Sequence, residues 1–570
     1  MNIVLCGINA KYIHTNLAIR QIKGYVEQNS NYSINIVEYT INNYVNDILK
    51  SLYEQKPDIL GFSCYIWNIE IVKKLIVLIN QVLPEAIIIL GGPEVSYNSI
   101  ALFSEIPCDY IISGEGEQTF CELLNAIDNK HSFESVGGLT FLSNGNVVST
   151  PKEKALDMVS LPFPYSDIGE TENRICYYEA SRGCPFGCRY CLSSIEKGVR
   201  FAPIEKVKKE LLIFLNNKVQ QVKFVDRTFN CNKKFALEII RFLIEKDNGY
   251  TNFHFEVEAS LLDKETLELL STARRGLFQL EIGVQSTNEH TLKAIDRKND
   301  MNWIEYCVGK LHQKQNIHIH LDLIAGLPLE DLESFKKSFN DVYHLVPNQL
   351  QLGFLKVLKG SAMEKLCSQY NIKYSPYPPY EVLSTNYLSY DEMLKLKGIE
   401  EMVELYYNSN RFYLSTGYIM HFFNGPFDFY YHLSEFKKQK GMSTLSHNKN
   451  DAYTFLIKFC ESFLDNKEIQ NIKAKLKFDF LAHERPRSNP DWADKNMLDK
   501  NELYDLVVKQ KAVSELLPEY SDIDPKQLLK LIHIERFPID PFFLDNEPST
   551  YIFDYSHRSF SGEATAIPLE

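Results

Sequence analysis

Along the first 130 residues, short apolar runs alternate with amphipathic stretches. The runs "NIVLC" (2–6), "SINIVEY" (33–39), "DILGFSC" (58–64), "AIIILGG" (86–92) and "DYIIS" (109–113) predict strands, and "WNIEIVKKLIVLIN" (67–80) predicts a helix between two of them. Such alternation predicts an α/β domain over 1–135, doubly wound and Rossmann-like around a parallel sheet. A ligand of that fold lies beyond the carboxyl ends of the strands, where Gly7, Gly91, Gly92 and Gly114 collect. The G-x-G-x-x-G dinucleotide fingerprint is absent. Residues 136–172 read as a hairpin turning at Asn144–Gly145, then a Pro-rich linker, "LPFPYSD" (161–167).

Over 173–370 a second αβ array has strands of a different kind. "HFEVEAS" (254–260) sets His254, Glu256 and Glu258 on one face; "FQLEIGVQS" (278–286) sets Gln279, Glu281, Gly283 and Gln285 there. "IHIHLDLIAGLP" (317–328) adds His318, His320 and Asp322, and "YYEAS" (177–181) adds Glu179 and Ser181. A period of two fixes these faces. A strand covered by helices on both sides is apolar on both faces; one polar face instead predicts a full or partial (β/α) barrel with a polar lumen, unlike a plain packed barrel core. An antiparallel sheet with one solvated face is the alternative. Residues 371–570 lose the alternation. "YDEMLKLKGIEEMVELYY" (390–407), "DAYTFLIKFCESFL" (451–464), "NELYDLVVKQKAVSELL" (501–517) and "PKQLLKLIHIERF" (525–537) predict a mainly helical domain that ends in an extended "STYIFDYSH" (549–557).

Composition narrows the class. The 570 residues are enough for roughly three or four domains. A net charge of −13 argues against a nucleic-acid partner. No basic start precedes an apolar run, so no signal peptide is expected, and no apolar run has the length of a membrane span. The twelve cysteines show no framework spacing, which predicts a reducing cytoplasm.

Three of them, Cys184, Cys188 and Cys191, crowd into "SRGCPFGCRYC" (181–191) after a predicted strand, with Gly183 and Gly187 letting the loop turn on itself. Three thiolates can hold a cubane iron–sulfur cluster and leave one iron open, and an open coordination position separates a catalytic metal site from a closed structural one. Zinc would need a fourth ligand, for which Cys176 and Cys231 are candidates.

The stretch "CPFGCRYC" resembles the C-x-x-x-C-x-aromatic-C signature of radical S-adenosylmethionine enzymes, with Tyr190 in the aromatic place. The resemblance implies a [4Fe-4S] cluster whose open iron is chelated by S-adenosylmethionine. One electron then cleaves the sulfonium to methionine and a 5′-deoxyadenosyl radical that abstracts hydrogen from a substrate. "EIGVQS" (281–286), "DLIAGLP" (322–328) and "FLKVLKGSAM" (354–363) resemble later strands of the same superfamily. It implies cofactor contacts from Tyr190, Gln285, Asp322 and Glu256. Asp226 and Arg227 in "FVDRTFN" (224–230) are read either as an ion pair at the barrel rim or as substrate or cofactor contacts.

The front domain, with "ILGGPEVS" (89–96) and "SGEGE" (113–117), resembles the cobalamin-binding domain found ahead of some of these enzymes. The resemblance implies that Ser63, Gly91 and Gly92 contact the dimethylbenzimidazole tail. The D-x-H-x-x-G motif of other cobalamin proteins is broken: in "NAKYIHTNL" His14 is kept, but Tyr12 and Leu17 take the Asp and Gly places, which argues against a histidine ligand to cobalt. Additional cluster ligands of the methylthio-transfer type are not evident, since Cys6, Cys64, Cys108 and Cys121 have no compact spacing. The tail resembles that of clostridial-type members, and a role in capping the barrel is expected of it. The implied activity is cobalamin-dependent C-methyl transfer, with a reductant such as flavodoxin or ferredoxin. The alternatives are rearrangement, cyclisation or sulfur insertion on the same architecture, or an iron–sulfur carrier or sensor.

Overall fold

The computed structural model describes residues 1–569 except 153, 166–167, 196–197, 442–448, 486–489, 510–515, 522, 545–546 and 560–561. The chain forms two compact units, Met1–Phe335 with Gly353–Tyr390, and Lys336–Leu352 with Asp391–Glu570.

The first unit begins with five parallel strands, β1 (Ile3–Asn9), β2 (Ile34–Thr40), β3 (Ile59–Ser63), β4 (Ile87–Gly91) and β5 (Tyr110–Ile112), ordered 2-1-3-4-5. A hairpin, β6 (Leu139–Ser143) and β7 (Asn146–Ser149), adds antiparallel to β5. Its turn places Asn144 and Gly145 at φ 50° and 79°, the left-handed pair a two-residue hairpin needs. The sheet is buried on both faces. Along β1, Val4, Cys6 and Ile8 pack on helices Val45–Gln55 and Ile69–Val82, while Ile3 and Leu5 pack with Ile19 and Phe120 of helices Leu17–Asn29 and Gly116–Asn129. This is why the run reads as apolar throughout rather than alternating.

Next comes an open sheet of six strands in sequential order: β8 (Ile175–Tyr178), β11 (Gln221–Phe224), β12 (Asn252–Val257), β13 (Phe278–Gln285), β14 (His318–Ala325) and, at the far edge, β15 (Gln349–Phe354). Between β8 and β11 the antiparallel pair β9 (Ser181–Cys184) and β10 (Gly198–Phe201) stands apart as its own hairpin. The outward face is aromatic: Phe255 lies 4.7 Å from Phe224 and 5.7 Å from Phe278, ring to ring. Helices Ile204–Asn216 and Lys233–Glu245 bury Leu211, Phe214, Ile239 and Leu243. The inward face carries the polar set. The predicted partial barrel is therefore present, with one difference: β8 stops at Tyr178, so Glu179 lies in the turn and Ser181 opens β9, and the two do not share a strand face. A short pair, β16 (Lys373–Tyr374) and β17 (Val382–Ser384), closes the unit.

The second unit is mainly helical, with Tyr413–Ile419, Pro426–Gln439, Lys449–Glu461 and Asn466–His483, and ends in an antiparallel sheet of β18 (Ile532–Phe537), β19 (Ser549–Arg558) and β20 (Ala564–Leu569). The helix expected over 525–537 stops at Leu531. From Ile532 the alternation Ile-His-Ile-Glu takes over and pairs with β19, a period of two hidden inside an apolar run. Of the helix expected over 501–517, the described part is Lys500–Tyr504 followed by a wider turn at Asp505–Lys509; 510–515 lie outside the described residues. No helix among the described residues is long and apolar enough to cross a membrane.

Candidate active site

The hairpin β9–β10 presents the cysteine loop. Gly183 holds φ 104°, and a side chain there would overlap the Gly198 carbonyl, so the loop's entry requires glycine. The Cys191 N–H donates to the Cys188 carbonyl at 3.0 Å, and the Arg189 N–H donates to the Ile295 carbonyl at 3.0 Å, anchoring the loop beside β13. Cys184, Cys188 and Cys191 line one cavity of about 200 Å³ with Tyr190. Cys184 Sγ lies 3.5 Å from Thr228 Oγ1, and Cys188 Sγ lies 3.7 Å from an Arg297 nitrogen. Burial raises the Cys188 thiol, and the Arg297 charge opposes that rise. Neither candidate for a fourth thiol lines the cavity: Cys176 is fully buried within β8, and Cys231 stays outside the wall, its thiol raised by burial, then by Asp226 and Cys184.

The opposite wall comes from the barrel strands. Glu256 of β12, Glu281, Gly283 and Gln285 of β13, and Asp322 of β14 all line this cavity. The register shifts between Gly283 and Gln285, and Gln285 takes φ 69°. This bulge folds the Gln285 amide over Gly283, where any Cβ would collide with it. Burial pushes the Glu256 carboxyl up to about 7, against the pull of Arg227. Lower in the lumen, Glu281 meets Lys223 at 3.1 Å and His254 at 3.0 Å, and His320 meets Asp322 at 2.9 Å. Although burial raises Glu281, His254 and Lys223 outweigh it and hold the carboxyl well below its ordinary range. His320 is raised by Asp322 and Glu281 despite its burial, whereas burial pushes His318 down to about 4. Glu281, His320 and Asp322 come close enough to suit a metal ion, but the Lys223 ammonium already supplies the cation.

Of the two readings of Asp226 and Arg227, the rim ion pair between them does not form. Asp226 is 1% exposed and turns inward, accepting from Ser181 Oγ at 2.6 Å and the Ala180 N–H at 3.0 Å; burial pushes its carboxyl up to about 7. Arg227 is left exposed on the cavity wall. Sequence reasoning missed Arg297, which pairs with Glu258 at 2.9 Å and reaches the Gly283 carbonyl; nothing in "AIDRKND" (294–300) marks it.

A second cavity, of about 100 Å³, opens at the carboxyl ends of β3, β4 and β5. Gly61, Ser63, Gly91, Gly92, Gly114 and Gly116 line it, with Ile89 and Phe120 among its apolar walls. The two neighbouring glycines differ. A Cβ on Gly91 meets nothing nearer than the Ile112 Cβ at 4.0 Å, whereas Gly92 holds φ 113° and its Cβ would lie 2.5 Å from the Cys64 carbonyl oxygen. Gly91 therefore keeps cavity space, and Gly92 makes the chain turn. Ser63 Oγ accepts from Asn16 Nδ2 at 2.9 Å.

His14 is not on this cavity's wall. Its Nδ1 is 2.8 Å from the Tyr177 hydroxyl. Its loop is sewn to β8: the Ile175 N–H donates to the Ile13 carbonyl at 2.7 Å, and the Thr15 hydroxyl donates to the Ile175 carbonyl at 2.9 Å. Glu38 locks the joint, pairing with Arg20 at 2.6 Å and Arg174 at 2.9 Å.

Both cavities correspond to recognised domains. The family described as B12 binding domain matches residues 3–124, and the radical SAM superfamily matches 178–342. The chain carries a B12-binding domain followed by a radical SAM domain. Residues 368–551 match a protein family of unknown function, DUF4080. The cobalamin-dependent radical SAM methyltransferase TokK of Streptomyces tokunonensis is 27% identical over 353 residues, covering 57% of this chain and 51% of TokK. An anaerobic magnesium-protoporphyrin IX monomethyl ester cyclase of Rubrivivax gelatinosus is 23% identical over 340 residues, covering 56% of this chain and 60% of that protein. The chain thus spans about half the length of the first of these relatives. In fold it is similar to the cobalamin-dependent S-adenosylmethionine radical enzyme OxsB solved with aqua-cobalamin, with a TM-score of 0.59 at 16% identity over 84% of this chain and 79% of that one.

The cofactors these domains imply are a [4Fe-4S] cluster, S-adenosylmethionine and cobalamin, and the residues present fit them. Three thiols without a fourth suit a cluster with an open iron. Half-buried carboxylates and a buried amide on the facing wall suit a polar nucleoside. A cavity kept open by glycines suits a flat apolar group.

Proposed function

We propose that the protein uses cobalamin and S-adenosylmethionine to methylate an unreactive carbon. The observation that carries this reading is that a thiol-lined polar cavity and a glycine-lined apolar cavity occupy the strand ends of one compact unit. Cys184, Cys188 and Cys191 would hold the cluster. Tyr190, Glu256, Gln285 and Asp322 would contact S-adenosylmethionine, with the Arg297 cation available to its carboxylate. Ser63 and Gly91 would border the cobalamin tail, and Gly92 would shape the turn beside it. When bound, the cluster with S-adenosylmethionine supplies a carbon-centred radical, and cobalamin supplies a transferable methyl group. The chain's own part is to orient these groups, to keep Gln285 and Glu256 aimed at the nucleoside, and to shelter the reacting carbon from water.

The absence of His14 from the wall of the apolar cavity supports a cobalt without a His14 ligand. All twelve cysteines are free, which supports a reducing cytoplasm, and a flavodoxin- or ferredoxin-like protein would supply the electron. The functional boundaries of this reading are 1–135, 136–172, 173–370 and 371–570. In the deciding experiment, methyl-labelled S-adenosylmethionine should pass label to cobalamin and then to a substrate carbon, with S-adenosylhomocysteine and 5′-deoxyadenosine formed in about equal amounts. Deoxyadenosine without S-adenosylhomocysteine would favour a rearrangement or cyclisation, the reading to which the cyclase relative points.

A further inference from the structure

Residues 113–117, Ser-Gly-Glu-Gly-Glu, face two ways. Gly114 and Gly116 line the apolar cavity. Between and after them, Glu115 and Glu117 reach the hairpin that carries Cys184. Arg182, two residues ahead of that cysteine, meets Glu117 at 2.5 Å, Glu115 at 3.2 Å and Glu179 at 2.7 Å. Arg200, directly across the hairpin from Arg182, pairs with Glu115 as well. The helix Gly116–Asn129 starts inside this segment, and its Phe120 forms more of the cavity wall.

We infer that this segment couples the two sites, with Arg182 and Glu117 as positioning residues. The inference rests on the reading that the front cavity takes cobalamin and the three cysteines a cluster. A ligand in the front cavity presses on Gly114, Gly116 and Phe120 and fixes the start of the helix. That start fixes the Glu117 carboxylate, and through Arg182 it fixes the strand that delivers Cys184. The ion pair is a sensitive transmitter because it is largely buried: its side chains are 14% and 6% exposed. A buried pair is favourable only in good geometry, and a small misplacement leaves charge uncompensated. Coupling of this kind is reciprocal, so a seated cluster loop must also favour the filled cavity.

The test measures hydroxocobalamin affinity by anaerobic equilibrium dialysis on the full chain, with the cluster reconstituted and with it removed. Wild type should bind at least about fivefold more tightly in the cluster-loaded state, the lower end of ordinary coupling between sites. Glu117→Gln should bring the ratio close to one, while cluster-free affinity stays within about twofold of wild type, as expected when only a coupling term is lost. Arg182→Lys keeps the charge but loses the fork, and should give an intermediate ratio; it also serves if Glu117→Gln does not fold. A wild-type ratio near one, or a full ratio retained in both variants, overturns the inference. Absence of cobalamin binding to cluster-loaded wild type overturns the functional reading beneath it, and is distinguished because that measurement comes first.

Discussion

The two cavities of the first unit are built on opposite principles. The cysteine cavity is made by what is present: thiols, carboxylates and two guanidiniums converging from the cysteine loop, β12–β14 and the segments after β11 and β13. The apolar cavity is made by what is missing: six of its positions are glycine or serine, and aliphatic walls complete it. A site made of functional groups loses its ligand when a group is removed, and a site made of space loses its ligand when a group is added.

The largest expected effect tests that contrast directly. Cys188→Ala should reduce iron from about four per chain to background, as should Cys184→Ala and Cys191→Ala. Each variant should still bind one equivalent of cobalamin at saturation, and Cys231→Ala should retain its iron. Iron retained by Cys188→Ala would sink the cluster assignment. The converse change is additive. Gly91→Leu should fill the apolar cavity and weaken cobalamin binding by at least about fivefold, from the 1–3 kcal/mol usual for overpacking, with iron content unchanged. Gly92→Ala should instead lower the melting temperature, because φ 113° and the Cys64 carbonyl oppose any side chain there.

Next is a pH effect that belongs to the cysteine cavity's framework alone. The Asp226 carboxyl lies near 7 in the folded chain and in the ordinary carboxylate range when unfolded, so only the folded state holds its proton between those values. Its contribution is fully present below about pH 4 and is lost as pH rises through about 7, on the order of 4 kcal/mol. Denaturant midpoints between pH 4 and 8 should show this slope in wild type and a flatter profile in Asp226→Asn; equal slopes would remove Asp226 as its source. The smallest effect concerns His14. His14→Ala should cost about 1 kcal/mol by loss of the Tyr177 hydrogen bond and leave the cobalt(II) EPR spectrum unchanged. A changed axial pattern would restore histidine as a ligand.

The contrast also explains what was legible in the sequence. The cysteine trio and the polar strand faces are local patterns, fixed by loop spacing and a period of two. Arg297 and Cys188 are 109 residues apart, and Glu117 and Arg182 are 65 apart, so no local pattern announces either pair. Asp226 and Arg227 are adjacent yet part company, because Ser181 and the Ala180 N–H claim the carboxylate. In the second unit, helix Asn466–His483 gave no amphipathic signal because it buries Lys475, Lys477 and Asp479 along with its apolar residues. The buried Lys477 is answered by Glu535 of β18, at 2.5 Å, in a strand that itself read as helix.

The stitching of residues 13–15 onto β8 has a consequence outside catalysis. An open sheet ends in strands whose backbone groups invite pairing with another chain. Here the start of one such border is occupied by the front domain, since Ile175 both donates to Ile13 and accepts from Thr15. Deleting residues 1–135 would therefore expose a naked strand border as well as remove a cofactor domain, and the remaining chain should self-associate through it. By this pairing the front domain covers the start of that border whether or not any cofactor is bound.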